Sequence, residues 1–181
     1  MPPGKDPLTR EEVITVRDWI NLGAPARNGL IPFSDMAHRR RMFVVNQGCD
    51  NVFIIDAATG LIMRSVDIGV SPSIESPHFI EISPDAKYFY TCFYAGNVFQ
   101  KFRTNDGALV AEANIGSGQW SVLEITPDGK RAFVVDLSAD GSIAVMDLET
   151  MTMLVKWQGS GLLQYPHGTA IKGNNLYVTS Q

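Results

Sequence analysis

Two Pro-His dipeptides, Pro77-His78 and Pro166-His167, are the residues of this 181-residue chain best suited to chemistry. They coincide when the apolar runs that follow them are superposed on Ile82 and Ile171. Imidazole changes charge near neutral pH and is a common ligand for copper or iron. A repeated histidine therefore points to a metal ligand or a proton donor. Two histidines are fewer than the three or more ligands that a protein-built metal site normally gathers. The other reading is that each Pro-His simply leads into a strand, with the ring hydrogen-bonded to its neighbour. Trp120 and Ser121 stand at the same aligned place between the two dipeptides. Glu81 and Glu124 also align, each shortly before a Ser-Pro-Asp or Thr-Pro-Asp turn. Facing a cavity they would be acids or cation ligands; their alternation with Ile80 and Ile82 suits a solvent-facing edge equally well. Asp56 and Asp147 end strands, and Asp85 and Asp128 sit in turns, where an aspartate caps local backbone. There is no Ser-His-Asp order around a nucleophile elbow, no phosphate loop and no carboxylate pair at a catalytic spacing. No catalytic residue is assigned.

The elements that must position these residues repeat. Residues 77–116 read as one four-stranded unit. An apolar strand over 78–83 is followed by a Pro-Asp turn at 84–87. An aromatic strand covers 88–94. An alternating strand covers 98–104, and an Asn-Asp-Gly hairpin leads to an outer strand over 108–115. The second strands of successive units read RMFVVN, KYFYTC, RAFVVD and NLYVTS, with anchors Phe43, Phe89, Phe133 and Tyr177 spaced by 44 to 46 residues. The turn SPDAK at 83–87 matches TPDGK at 126–130. Four strands per unit at a period of about 40–45 residues is the signature of a β-propeller. The fold class is therefore all-β, with one N-terminal helix. First strands line a propeller's central channel, so His78 and His167 are expected near its mouth, two blades apart. A protein partner or small ligand is expected at the channel.

Counting blades gives about three and a half. The first unit shows only its second to fourth strands, two complete units follow, and the last stops after its second strand. Closed propellers have 4–8 blades. The expectation is part of a seven- or eight-bladed ring within a longer protein, or a ring completed by another chain.

The motifs FVVNQGCDNVFIIDAATGLIMRSVDIG at 43–69 and ITPDGKRAFVVDLSADGSIAVMDLETM at 125–151 resemble the YVTN-type (YncE-like and surface-layer) propellers. That resemblance implies a fold and leaves function open. Related histidine-bearing propellers house copper clusters or a d1-type haem.

Ahead of the repeats, Thr9 and Glu12 form a capping box. Val13, Val16, Trp19 and Ile20 share one face of a helix over 10–22, closed by Gly23 and Pro25. The run MPPGKDPLTREEVITVRDWINLGAP resembles the C-terminal end of a small c-type cytochrome domain. The resemblance puts Met1 on the axial methionine. The Cys-x-x-Cys-His attachment motif is absent, so this chain alone is expected to carry no cofactor, and haem c would belong to a longer parent. The domains read as a cytochrome-like remnant at 1–25, a linker at 26–40 containing His38, and a partial propeller at 41–181.

The net charge of −4 and a pI near 5.3 argue against a nucleic-acid surface. Arg39–Arg41 read as a solvated entry to the first strand. Cys49 and Cys92 read as buried, inert thiols. No window approaches a membrane span, and the opening Met-Pro-Pro-Gly does not read as a signal peptide. The leading expectation is a non-catalytic binding or scaffold module of a periplasmic or cell-surface electron-transfer protein linked to cytochrome c. The alternatives are the propeller of a haem d1 or copper oxidoreductase, and a structural or adhesive surface protein.

Overall fold

The computed structural model describes residues 7–22, 24–27 and 38–181. The chain divides into two compact units, Met1–Arg39 and Arg40–Gln181.

In the first unit, helix α1 spans Arg10–Asn21. Its start is the reciprocal box read from the sequence. The Thr9 hydroxyl oxygen accepts from the Glu12 amide, and the Thr9 amide donates to the Glu12 carboxylate at 2.8 Å. These bonds hold the Glu12 carboxyl below its ordinary pKa. At the other end, the Leu22 N–H bonds to Asp18 O, and the Trp19 indole N–H donates to Pro25 O at 2.9 Å. Met1, Gly23 and linker residues 28–37 lie outside the described residues.

The second unit is a partial β-propeller. Its strands are β1 (Arg41–Asn46), β2 (Asn51–Asp56), β3 (Ile62–Asp67), β4 (Pro77–Ile82), β5 (Tyr88–Phe93), β6 (Val98–Arg103), β7 (Leu109–Asn114), β8 (Trp120–Ile125), β9 (Arg131–Asp136), β10 (Ser142–Asp147), β11 (Thr152–Gln158), β12 (Thr169–Lys172) and β13 (Asn175–Val178). Among the described residues they form sheets β1-β2-β3, β4-β5-β6-β7, β8-β9-β10-β11 and β12-β13, each an antiparallel meander. The innermost strands lie side by side, β1 on β4, β4 on β8 and β8 on β12. That row is what brings residues of different repeats together.

The turns hold because their side chains complete the backbone bonding. Asp85 accepts from the Ser83 hydroxyl at 2.6 Å and the Lys87 amide at 3.1 Å. Asp128 repeats this with Thr126 and Lys130 at 2.6 and 3.0 Å. Hydrogen bonding to the ionised form favours it, so both carboxyls lie below their ordinary pKa. Asp56 and Asp147 cap the turns after β2 and β10 in the same manner. Gly107 closes the Asn-Asp-Gly hairpin with φ +70, and an added Cβ would come within 2.4 Å of Val66 Cγ2 on the neighbouring sheet. Both the turn and the packing therefore require glycine.

Between the second and third sheets lies a dense core. Trp120, Leu123, Phe99, Ile115 and Met146 are fully buried there, and the Tyr90 and Phe99 rings stack at 5.6 Å. Lys101 crosses this joint, its ammonium donating to Leu148 O at 2.7 Å and lying 4.4 Å from the Tyr88 ring centroid. Two sequence expectations are corrected here. Arg41 is not a solvated residue: its guanidinium donates to Thr104 O at 2.6 Å, tying β1 to the second sheet. Cys49 is exposed, on a turn that presents its side chain outward; Cys92 is buried, and burial pushes its thiol up to about 12.

Candidate functional site

Strand irregularity places the first histidine. In β4, Pro77 pairs with Phe93 and Phe79 with Cys92, so His78 is the extra residue of a β-bulge. In β8, Trp120 pairs with Asp136 and Val122 with Val135, so Ser121 is the extra residue of an equivalent bulge. Bulges re-aim a side chain at the rim of a sheet. His167 arrives differently, two residues ahead of β12. Ser76 and Tyr165, the residues before each proline, have φ 55 and φ 45. A positive φ is unusual outside glycine, and a following proline biases a residue towards extended backbone. Both Pro-His segments therefore share a costly entry.

The two histidines meet. Their ring centroids lie 6.2 Å apart with the planes at 84°. The half-buried Tyr94 ring lies 5.7 Å from the His78 ring, centroid to centroid. His78 Nδ1 is 2.8 Å from the carbonyl oxygen of Ser121. A carbonyl can only accept, so Nδ1 carries a proton, and in the neutral form of the ring the lone pair is on Nε2. This is the inter-strand hydrogen bond expected of a structural histidine. It is also the arrangement that fixes tautomer and ring direction in metal-ligating histidines. The Ser121 side chain is fully buried, and its Oγ has no hydrogen-bond partner among the described residues.

Deeper along the same strands lie the aligned glutamates, both half-buried rather than on a solvent-facing edge. Glu124 accepts from the Thr169 hydroxyl of β12 at 3.3 Å. Glu81 lies above its ordinary pKa because burial penalises its charge and, secondarily, because the Glu124 carboxylate repels it. Among the described residues no three His, Cys, Asp or Glu side chains converge as a protein-built metal site would require. His38 is exposed.

The alignment of the repeats pairs the two histidines that the structure brings together. It missed Tyr94, the Ser121 carbonyl and Asp50. Asp50 is buried, follows β1 with φ 46, and accepts from the backbone amides of Glu75 and Ser76 at 2.8 and 2.9 Å. Its place at the end of the irregular turn between β1 and β2 gave no periodic signal to read.

No protein-family model matches the chain, and no curated protein matches it. Solved structures do. Hydrazine synthase from Kuenenia stuttgartiensis is similar with a TM-score of 0.61 and 19% identity, over 71% of this chain and 36% of that one. The dihydro-heme d1 dehydrogenase NirN, solved in complex with DHE, is similar with a TM-score of 0.57 and 15% identity, over 70% of this chain and 26% of its own. The chain thus spans about a third and a quarter of the length of these two. At such identities the likeness establishes the fold. Among the described residues no helix is long and apolar enough to cross a membrane.

Proposed function

We propose that this chain is the propeller module of a haem-linked electron-transfer protein of the periplasm or cell surface, and that it holds an iron tetrapyrrole at the rim where His78 and His167 meet. The observation that carries the reading is the contact of two histidine rings from different blades, with His78 held by Ser121 O in the tautomer that leaves Nε2 free. Two imidazoles are too few for the four-ligand shell of a bare metal ion. An iron already held by a tetrapyrrole would need only one or two ligands from the protein, and that demand suits this rim. Such a group, when bound, supplies one-electron transfer. The residues of the chain bind and orient it. His78 offers the lone pair, Ser121 O fixes the ring, and Tyr94 packs beside it.

Three further points support the reading. One similar structure is named for haem d1 chemistry. The repeats resemble YVTN-type propellers. The N-terminal run resembles a cytochrome c tail, in which Met1 would be the axial ligand of a haem c attached in a longer parent. A module of this kind binds its ligand without forming covalent bonds of its own.

The test is a spectral titration of the chain with ferric protoporphyrin. A Soret shift saturating at one equivalent is expected. It should be lost in His78→Ala and weakened at least tenfold in His167→Ala. A wild-type protein without the shift, or a His78→Ala/His167→Ala double variant that keeps it, overturns the proposal. Saturable Cu(II) binding without haem binding would favour the copper reading instead.

A further inference from the structure

We infer that Asp50 is the positioning residue of this rim: its carboxylate fixes the backbone ahead of Pro77 and so locks His78 as the rigid member of the pair, leaving His167 as the adaptable one. The inference rests on the reading that the His78–His167 rim is the working site.

The argument starts from strain. Ser76 is a non-glycine residue with φ 55 directly before a proline. Such a conformation persists only where the surroundings over-determine it. Here they do. Asp50 Oδ1 accepts from the Ser76 amide at 2.9 Å, and Asp50 Oδ2 accepts from the Glu75 amide at 2.8 Å. The carbonyls of the same two residues accept from Tyr94 and Ala95 at 2.8 and 2.9 Å. Glu75 Oε2 accepts from the Val70 amide at 2.8 Å, closing the loop behind. Asp50 is itself buried, and its own carbonyl accepts from Ile68 at 2.9 Å. A carboxylate on the first sheet thus holds two consecutive amides of the segment that delivers His78 on the second. Hydrogen bonds to a charged acceptor are the stronger kind, and two of them fix direction as well as distance.

Among the described residues the equivalent segment before His167 is held by a hydroxyl rather than a carboxylate: the Gln164 amide, at the place of Glu75, donates to Ser180 Oγ at 2.9 Å, and the Gln164 carbonyl accepts from the Gln181 amide at 2.9 Å. Tyr165 has φ 45, but its amide bonds to a backbone carbonyl, Ser138 O, at 3.2 Å. Tyr165 and His167 are both exposed. Identical dipeptides are therefore mounted unequally, one on a buried carboxylate and one on an exposed hydroxyl.

The test uses the ¹⁵N-labelled chain and long-range ¹H–¹⁵N spectra at pH ~8, above the ordinary imidazole range near 6.5. Wild-type His78 should show a single tautomer protonated on Nδ1, with a nuclear Overhauser contact to the His167 ring. In Asp50→Ala the His78 signals should move towards those of mixed tautomers, and that contact should fall at least twofold, while His38 is unchanged. Asp50→Asn is the second variant. One of its two positions becomes an amide NH₂ facing a backbone N–H, so it should show an intermediate shift at His78. Restoration of wild-type His78 signals in Asp50→Glu is not expected, because the longer side chain misplaces the clamp. A folded Asp50→Ala or Asp50→Asn protein with the wild-type tautomer and an undiminished contact overturns the inference. Because these spectra need no ligand, they separate the two ideas. Wild type that fails to bind ferric protoporphyrin while Asp50→Ala perturbs His78 sinks the function and keeps the positioning role. Haem binding with His78 indifferent to Asp50 does the reverse.

Discussion

Two successive joints between blades use the same register positions and finish them differently. Where β8 meets β12, Glu124 receives a hydrogen bond from Thr169. Where β4 meets β8, the residue aligned with Thr169 is Leu123, which has no hydroxyl to offer, and Glu81 is left above its ordinary pKa. The apolar filling differs in the opposite sense. The β4/β8 joint is closed by fully buried Trp120, Leu123 and Phe99. The β8/β12 joint has a smaller buried set, Val122, Val135 and Ile143, with half-buried Phe133, Leu176 and Val178 against it. The repeat thus supplies the frame, and single departures from it decide whether the aligned glutamate at a joint meets a hydroxyl donor. Among the described residues the larger core leaves its carboxylate without a donor; the smaller one provides the donor.

The largest expected effect tests the packing side. Trp120 is fully buried, its indole N–H donates to Gly116 O at 2.9 Å, and the Lys156 ammonium lies 4.7 Å from its ring centroid. Trp120→Ala should cost about 3–5 kcal/mol in urea unfolding. Leu176→Ala, at a half-buried site of the other joint, should cost about 1 kcal/mol. Equal losses would break the comparison. Next in size is the polar side. Thr169→Val keeps the shape and removes the donor to Glu124, which should cost about 1 kcal/mol. In a double-mutant cycle with Glu124→Gln most of that cost should appear as coupling. A cycle with no coupling would mean that the 3.3 Å contact does not contribute.

These differences also mark what a sequence discloses. The blades were legible because aromatic anchors, Pro-Asp turns and the Asn-Asp-Gly hairpin are local signals that act within a few residues. Most strand bounds fall within one residue of the expected ones for that reason; β13 ends at Val178, two residues short of the expected Ser180. The alignment of His78 with His167 was legible too, as a shared position. Their contact was not. It depends on two bulges and on the curvature that carries β4 and β12 to either side of β8, both of which are properties of packing rather than of spacing. The Arg41 latch and the Asp50 clamp were hidden for the same reason: each acts on backbone of another sheet, and neither residue type is diagnostic there. The exposed Cys49 shows the converse, a residue whose usual preference for burial the local turn overrides.

The smallest expected effect concerns the carboxylate without a donor, and its sign follows from linkage. A group whose pKa is raised on folding stabilises the fold fully below its unfolded value, and that stability is lost as pH rises through the folded pKa. For Glu81 the loss begins above the ordinary value of 4.5. Glu81→Gln cannot ionise, so it should match wild type near pH ~4 and exceed it in urea midpoint at pH ~7. The turn aspartates Asp85, Asp128 and Asp147 work in the opposite direction, since their lowered pKa values give stability that is lost as pH falls. They are common to both proteins and cancel in the difference. Burial is the larger cause of the Glu81 shift and the Glu124 charge the smaller. The advantage of Glu81→Gln should therefore shrink, and persist, in a Glu124→Gln background. If it vanishes there, the two joints communicate through charge more than through burial. If it is undiminished, the carboxylates do not sense each other and each joint stands alone.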